Sequence, residues 1–327
     1  MNSIVYAPVI IPTLCRYTHF KRCVESLARN TGADQTELYI GLDYPTKETH
    51  WDGYRKLCDY IPTIKGFKNV VVYKRESNFG PMRNARDILA VVQKKYDCYI
   101  FSEDDNEFSP NFLQYINGGL QKFKNDANVI AICGFAEPRV DYKCLNSYPY
   151  NAYPMCGYNA WGVGVWFEKK PPLIPAKEIL YDEKTVLKVI GLGHGRAVHR
   201  MLYRMRTGAI SDLQWRIFCA LNHKYCIFPK ISKVRNWGFD GSGENSLTIN
   251  HYSIMDIDLQ TSFTMDDFEV RDYPQIKRIQ KSIFGWKPLN YIVFALDYLL
   301  FRISKGKCFT DFKLYRYIVY LNRKING

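Results

Sequence analysis

The run Tyr99-Ile100-Phe101-Ser102-Glu103-Asp104-Asp105-Asn106-Glu107 sets an apolar segment directly against three consecutive acids. Carboxylates this close repel one another, which costs stability unless a cation or hydrogen-bond donors offset it. A hard divalent ion, Mn²⁺ or Mg²⁺, is the expected offset, because such ions take oxygen ligands and bridge to substrate phosphates. Acids at the carboxyl end of a strand also lie where open α/β sheets bind ligands. A metal-neutralised nucleotide diphosphate fits such a place. The plainer reading is a solvated acidic turn.

Three further segments are expected to reach the same edge. Ile11-Pro12-Thr13-Leu14-Cys15-Arg16 closes a first strand, Gly41-Leu42-Asp43 a second, and Asn78-Phe79-Gly80-Pro81-Met82-Arg83-Asn84 follows a third. In a parallel sheet these strand ends share one side. Asp43 can accept hydrogen bonds from a base or ribose, and Arg16 can pair with a nucleotide or its phosphates. A surface ion pair is the competing role for Arg16 and for Arg83.

The elements that must position these groups alternate. Strands are predicted over 5–11, 37–42, 69–73, 97–102 and 129–133. Helical spacing falls over 20–29, with Phe20, Val24, Leu27 and Ala28 on one face, and over 56–61, 81–95 and 111–123. Pro81 suits a first helical turn, and Ser109-Pro110 a helix start. Repeated βα units predict an α/β domain with a mostly parallel sheet flanked by helices. Beyond 135 the pattern loosens. Trp161-Gly162-Val163-Gly164-Val165-Trp166 reads as a strand with glycines where a ligand or backbone approaches. A helix is predicted over 210–221, a strand over 225–231 and a Gly-rich loop over 234–246.

The 327 residues are 47% hydrophobic, enough for a sizeable core and against wholesale disorder. The 25 tyrosines pack a ring and still offer a hydroxyl, which suits sugar surfaces. Net charge is +13, and residues 271–327 hold 12 Lys/Arg against 3 Asp, leaving about +4 for the first 270. The stretches 283–301 and 309–321 read as basic amphipathic helices that either meet an anionic membrane surface or pack on the domain or on a second copy in a homodimer. Without zinc-finger spacing or an RNA-binding signature, nucleic acid is not expected. The ten cysteines form no Cys-x-x-Cys pair, which suits free thiols in a reducing cytosol. No leader is expected before the first strand, and no apolar run reaches the roughly 18 residues of a span. The domain division read from these shifts is 1–270, with halves 1–135 and 136–270, followed by a tail over 271–327.

Four stretches together carry a resemblance. Pro8 to Arg16 followed by Arg22-Cys23-Val24-Glu25-Ser26-Leu27 is the first. Glu103-Asp104-Asp105 with Phe108-Ser109-Pro110-Asn111-Phe112 is the second, and Trp161 to Trp166 the third. The fourth is Pro229 to Val234 with Asn236-Trp237-Gly238 and Gly241-Ser242-Gly243. Over residues 5–250 the chain resembles GT-A glycosyltransferases of the broad family-2 group, and most of all the inverting N-acetylglucosaminyltransferases that open complex N-glycan synthesis. The resemblance implies Asp105 as the metal ligand, Asp104 on the ribose or a metal-bound water, and Glu103 on the donor sugar. It implies Thr13, Arg16, Asp43 and Arg83 around the nucleotide, Gly241 and Ser242 over the phosphates, and Trp161 and Trp237 on the acceptor side. The phosphate-covering loop has an ordinary flexible turn as its alternative. Asp212, in Ile210-Ser211-Asp212-Leu213-Gln214-Trp215, matches the position of the general base, with a plain helix cap as its competing role and Glu168 and Asp182 as nearby alternatives.

The expected activity is metal-dependent, inverting transfer of a sugar from a nucleotide-sugar to a hydroxyl of a glycan or lipid-linked acceptor. The donor is expected to be UDP-linked, with UDP-N-acetylglucosamine suggested by the resemblance. A signal-free chain with a basic tail suggests bacterial surface polysaccharide synthesis at the inner face of the plasma membrane. In the cluster His194, Arg196, His199, Arg200, Arg204 and Arg206, His194-Gly195-Arg196 is expected either to meet an acceptor phosphate or to belong to a solvated basic helix face; the spacing does not suit zinc. Two alternatives remain: a catalytically degenerate scaffold, and a sugar nucleotidyltransferase, which would need glycines that Ile11 to Arg16 lacks.

Overall fold

The computed structural model describes residues 6–138, 142–172, 174–204, 211–241, 251–285 and 288–305. The first half alternates as expected. Strand β1 (Val9–Thr13) leads to helix α1 (Tyr17–Ala28), β2 (Glu37–Leu42) to α2 (Trp51–Tyr60), and β3 (Asn69–Lys74) to α3 (Gly80–Val92). Then come β4 (Cys98–Phe101), β5 (Asn106–Phe108), α4 (Phe112–Lys122) and β6 (Val129–Cys133). After these lie β7 (Ala152–Met155), β8 (Val163–Trp166), α5 (Ala176–Tyr181), α6 (Glu183–Gly191), α7 (Gly195–Arg204) and α8 (Ser211–Asn222). The described elements end with β9 (Tyr225–Pro229), β10 (Val234–Asn236), α9 (Pro274–Phe284) and α10 (Pro288–Ile303).

Eight strands form one sheet in the order β3-β2-β1-β4-β8-β6-β9-β7. Strands β1 to β4, β6 and β9 run one way, and β7 and β8 run against them. The near-continuous apolar runs of β1, β2 and β6 are what a sheet covered on both faces requires. Val9, Ile11, Phe20, Val24, Leu27, Leu38 and Ile40 are fully buried or nearly so, and Phe112, Ile116 and Ile132 continue the same core.

The first strand starts later than the apolar run suggests and extends through Pro12. Pro8 and Ile10 accept main-chain hydrogen bonds from Ile100 and Ser102 on the β4 side, whereas Thr13 accepts from Asp43 on the β2 side. The missing N–H of Pro12 therefore faces the β4 side beyond the end of that strand, where no ladder bond is lost. The expected loop over 234–246 also needs correction. Its first three residues are β10, which pairs antiparallel with β5 directly after the acid run. The start of α4 differs as well. Its cap residue is Asn111, which makes no capping bond; its amide instead donates to Asp258 Oδ2 at 2.9 Å and to the Ser262 carbonyl at 3.1 Å.

The chain forms two compact units that interleave in sequence. One comprises 1–155, 159–170 and 225–276, and the other 156–158, 171–224 and 277–327. The second is helical, with Leu180, Val186, Val198, Met201, Ile217 and Phe301 in its core. Of the two helices expected in the tail, the stretch 309–321 lies outside the described residues. Helix α10 buries Phe294 and Phe301, while Ile292, Leu296, Leu299 and Ile303 on its opposite side are exposed. No described helix is long and apolar enough to cross a membrane.

Candidate functional site

The carboxyl ends of β1 and β4 are adjacent strand ends, and the acid turn leaves β4 there. Asp104 and Asp105 are both buried. The Thr13 hydroxyl donates to Asp104 Oδ2 at 2.8 Å. Arg16, between β1 and α1, ion-pairs with Asp104 Oδ1 through Nη2 and with Asp105 Oδ2 through Nη1, the latter at 2.9 Å. Asn236 Nδ2 donates to Asp105 Oδ1 at 2.7 Å. Each of the four carboxylate oxygens thus has a protein donor. Burial pushes the Asp105 pKa up by more than Arg16 brings it down. Burial likewise pulls on the Arg16 guanidinium in the direction of losing its charge, but the two carboxylates outweigh it and its pKa is raised.

A second layer, drawn from far along the chain, closes over the pair. The Trp237 amide donates to the Asp105 carbonyl at 2.8 Å, and the Gly238 amide to Asn236 Oδ1 at 2.9 Å. A Cβ on Gly238 would overlap Asp105 Oδ2, so only glycine leaves room there. The Arg22 guanidinium lies 4.0 Å from the Trp237 ring centroid, and Trp237 Nε1 donates to Glu107 Oε2 at 2.7 Å. His19 Nε2 lies 3.2 Å from the Trp237 carbonyl and 3.1 Å from Asp240. Arg22, Glu107 and Asn236 stand in the stretches quoted from sequence but were given no role there, and His19 was in none of them. For Glu107 and Asn236 the usable signal was their place beside the acid run and beside Trp237-Gly238.

Asp43 sits one strand over, its amide bonded to the Thr13 carbonyl. Its Oδ1 accepts from the amides of Tyr44 at 2.9 Å and Phe79 at 2.8 Å, so it ties the end of β2 to the segment before α3. Arg83 is exposed and stacks on Phe79, 3.9 Å from the ring centroid, rather than on the acids. Glu103 is half-buried, and its carbonyl accepts from the Ser102 hydroxyl at 2.8 Å. The antiparallel direction of β8 puts Trp161 at the acid edge, since Val163 pairs with Phe101. Trp161 packs edge-on against Phe135, Phe239 and Tyr252, an aromatic cluster reached directly from Gly238. The same direction carries Glu168, exposed just past Trp166, to the opposite edge, which removes it as a candidate base. Asp182 caps α6 through Thr185 and is thereby accounted for. Asp212 lies in the first turn of α8, in the second unit. Gly241 takes a φ of 90°, and Ser242 lies outside the described residues.

Among the described residues no group of three or more His, Cys, Asp or Glu side chains is placed to hold a metal ion. The acid pair nonetheless fits one in the manner of Mg²⁺, which takes one or two carboxylates and completes its shell with substrate phosphates and water. The donors are hard oxygens, and a guanidinium already stands in as their cation.

Residues 9–157 match the family model described as glycosyl transferase family 2. Over these residues, just under half of its length, the chain is similar to family-2 glycosyltransferases. Its mostly parallel, helix-flanked sheet is the α/β architecture expected from the sequence. Among solved structures, the mannosyltransferase PcManGT of Pyrobaculum calidifontis, in complex with GDP-Man and Mn²⁺, is 12% identical, with 68% of this chain and 74% of that chain covered and a TM-score of 0.38. S. aureus TarS is 16% identical at a TM-score of 0.32, with 48% of this chain and 28% of that one covered. Its 1–349 fragment is 13% identical at 0.34, with 55% and 49% covered. TM-scores this low bear on neither substrate nor acceptor. No curated protein matches the chain.

Proposed function

We propose that this glycosyltransferase moves a sugar, with inversion, from a UDP-linked donor such as UDP-N-acetylglucosamine to a hydroxyl of a glycan or lipid-linked acceptor in bacterial surface polysaccharide synthesis. The observation that carries the reading is the buried Asp104–Asp105 pair, held by Thr13, Arg16 and Asn236 at the carboxyl edge of β1 and β4 inside the family-2 match. Asp105, with Asp104 beside it, would hold Mn²⁺ or Mg²⁺, and the bound ion supplies positive charge to the departing diphosphate. Thr13 and Asn236 fix the two carboxylates in orientation. Asp43 offers its remaining oxygen to the nucleoside. Trp161 with its aromatic neighbours forms the sugar-binding wall on the acceptor side.

Asp212 takes the proton of the acceptor hydroxyl as that oxygen bonds to the anomeric carbon. The anomeric carbon–phosphate oxygen bond breaks in the same displacement, and the nucleoside diphosphate leaves with the electron pair. One displacement inverts the anomeric carbon without an enzyme nucleophile. The exposed apolar side of α10 and the basic tail suit the inner face of an anionic membrane as the place of reaction.

The test is product analysis with a panel of nucleotide-sugars and Mn²⁺, with and without phosphatidylglycerol vesicles. New glycoside or nucleoside diphosphate release with wild type, absent in Asp105→Ala, is expected. Turnover retained in Asp105→Ala contradicts the site. Protein that stays in the supernatant when the vesicles are sedimented contradicts the membrane placement.

A further inference from the structure

We propose that Arg16 is a built-in competitor for the divalent ion: it neutralises the acid pair at rest, so that metal binds weakly alone and well only together with the donor diphosphate. The proposal deepens the functional reading above and rests on it for the diphosphate.

Arg16 reaches both acids at once, Nη2 on Asp104 and Nη1 on Asp105. The other two carboxylate oxygens are taken by Thr13 and Asn236. An ion entering alone must therefore share a carboxylate oxygen with a donor already bound to it, while the guanidinium stays a cation in contact with both acids. Its side chain is only 23% exposed, so the repulsion between the two cations is poorly screened.

Formal charge argues the same way. Two carboxylates and one guanidinium sum to minus one. A divalent ion alone would turn this into plus one, with two cations on the same pair of acids. The ion together with a diphosphate diester, which carries two negative charges, restores minus one. The diphosphate also gives Arg16 a second anion of matching geometry, since guanidinium binds phosphate through paired N–H groups. Metal and donor then raise one another's affinity by the same factor, as linkage requires. A transferase built this way keeps its acid pair closed to stray divalent ions and assembles its metal site only when a donor is present.

Mn²⁺ binding to the full chain, read from the electron paramagnetic resonance signal of the free ion, tests this without turnover. Wild type, Arg16→Gln and Arg16→Lys are titrated with Mn²⁺ alone, then with UDP or GDP present. Removing the charge in Arg16→Gln is expected to tighten Mn²⁺ alone by about tenfold or more, as expected when a like charge leaves a partly buried site. Arg16→Lys keeps the charge and should stay near wild type, a pattern that a merely structural role would not produce. In wild type, the nucleotide should raise Mn²⁺ affinity by a similar factor, and this effect should shrink in Arg16→Gln. Equal Mn²⁺ affinity in wild type and Arg16→Gln overturns the proposal. So does a wild type that binds Mn²⁺ equally well with and without a nucleotide that it demonstrably binds, a comparison that holds even where Arg16→Gln fails to fold. Failure of both UDP and GDP to bind any of the three proteins contradicts the donor site instead, and the metal-alone comparison still decides the role of Arg16.

Discussion

Lys233→Met should be among the most damaging single changes outside the acid pair. The Lys233 side chain is 2% exposed and ion-pairs with Asp258, itself 9% exposed. Its ammonium also lies 4.4 Å from the Phe263 ring centroid. The main chain here joins three segments: the Lys233 amide bonds the Gly134 carbonyl, the Lys233 carbonyl takes the Ser109 amide, and the Asp258 amide bonds the Ser232 carbonyl. Burial lowers the Lys233 pKa by more than the pair with Asp258 raises it, so desolvation is the larger effect. Breaking a buried pair from one side costs about 3–5 kcal/mol, because a charge is left without its partner. Asp258 would keep its bonds from Asn111 and from the Gln260 amide at 3.0 Å, which places the loss near the lower end, about 3 kcal/mol. At roughly 2–4 °C per kcal/mol for a chain of this class, the melting temperature should fall by about 6–12 °C. Lys233 leads into β10, so the same change should loosen Asn236 and Gly238 over Asp105. Thermal melts of wild type, Lys233→Met, Asp258→Leu and the double variant form the assay. The double variant should be less damaged than the sum of the singles, since it leaves no orphaned charge. A fall of under about 2 °C, or a double variant equal to the sum, refutes the reasoning.

Two other outcomes follow from the second unit and its candidate base. Asp212→Asn should leave nucleotide-sugar binding intact while abolishing transfer; near-normal turnover removes Asp212 as the base. His194 is fully buried against Phe284, and burial, with Arg216 nearby, brings its pKa down to about 4. The unfolded chain binds a proton near pH 6.5 that the folded chain refuses until about pH 4, so stability should fall as pH drops through that window, by about 3 kcal/mol in all. Urea unfolding of His194→Gln should show a flatter dependence between pH 7 and 4, and an unchanged slope contradicts this.

The acid edge was legible from sequence because strand ends are: Thr13, Asp43 and Asp104 each close an apolar run whose burial pattern declares it a strand. What closes over the acids was not. Asn236 reaches Asp105 across 131 residues, and its strand is three residues long, too short for any period to register against the glycines that follow. The direction of β8 was hidden as well. Trp161 to Trp166 is nearly symmetrical in sequence, and only its pairing with β4 and β6 shows that Trp161 faces the site and Glu168 does not. Asn111 reads as one more polar residue at a helix start, where caps are common, yet its amide serves Asp258 instead. The local pattern sees propensity, and the side chain went where a buried carboxylate needed a donor.

Donor binding through Asp105 is the central claim, and a melting-temperature panel of nucleotide-sugars with and without Mn²⁺ tests it most directly. A ligand that binds only the folded chain raises the midpoint by mass action. The expected result is a shift with one nucleotide class, larger with Mn²⁺ and lost in Asp105→Ala. An identical shift in Asp105→Ala, or no shift with any nucleotide-sugar in wild type, contradicts the account.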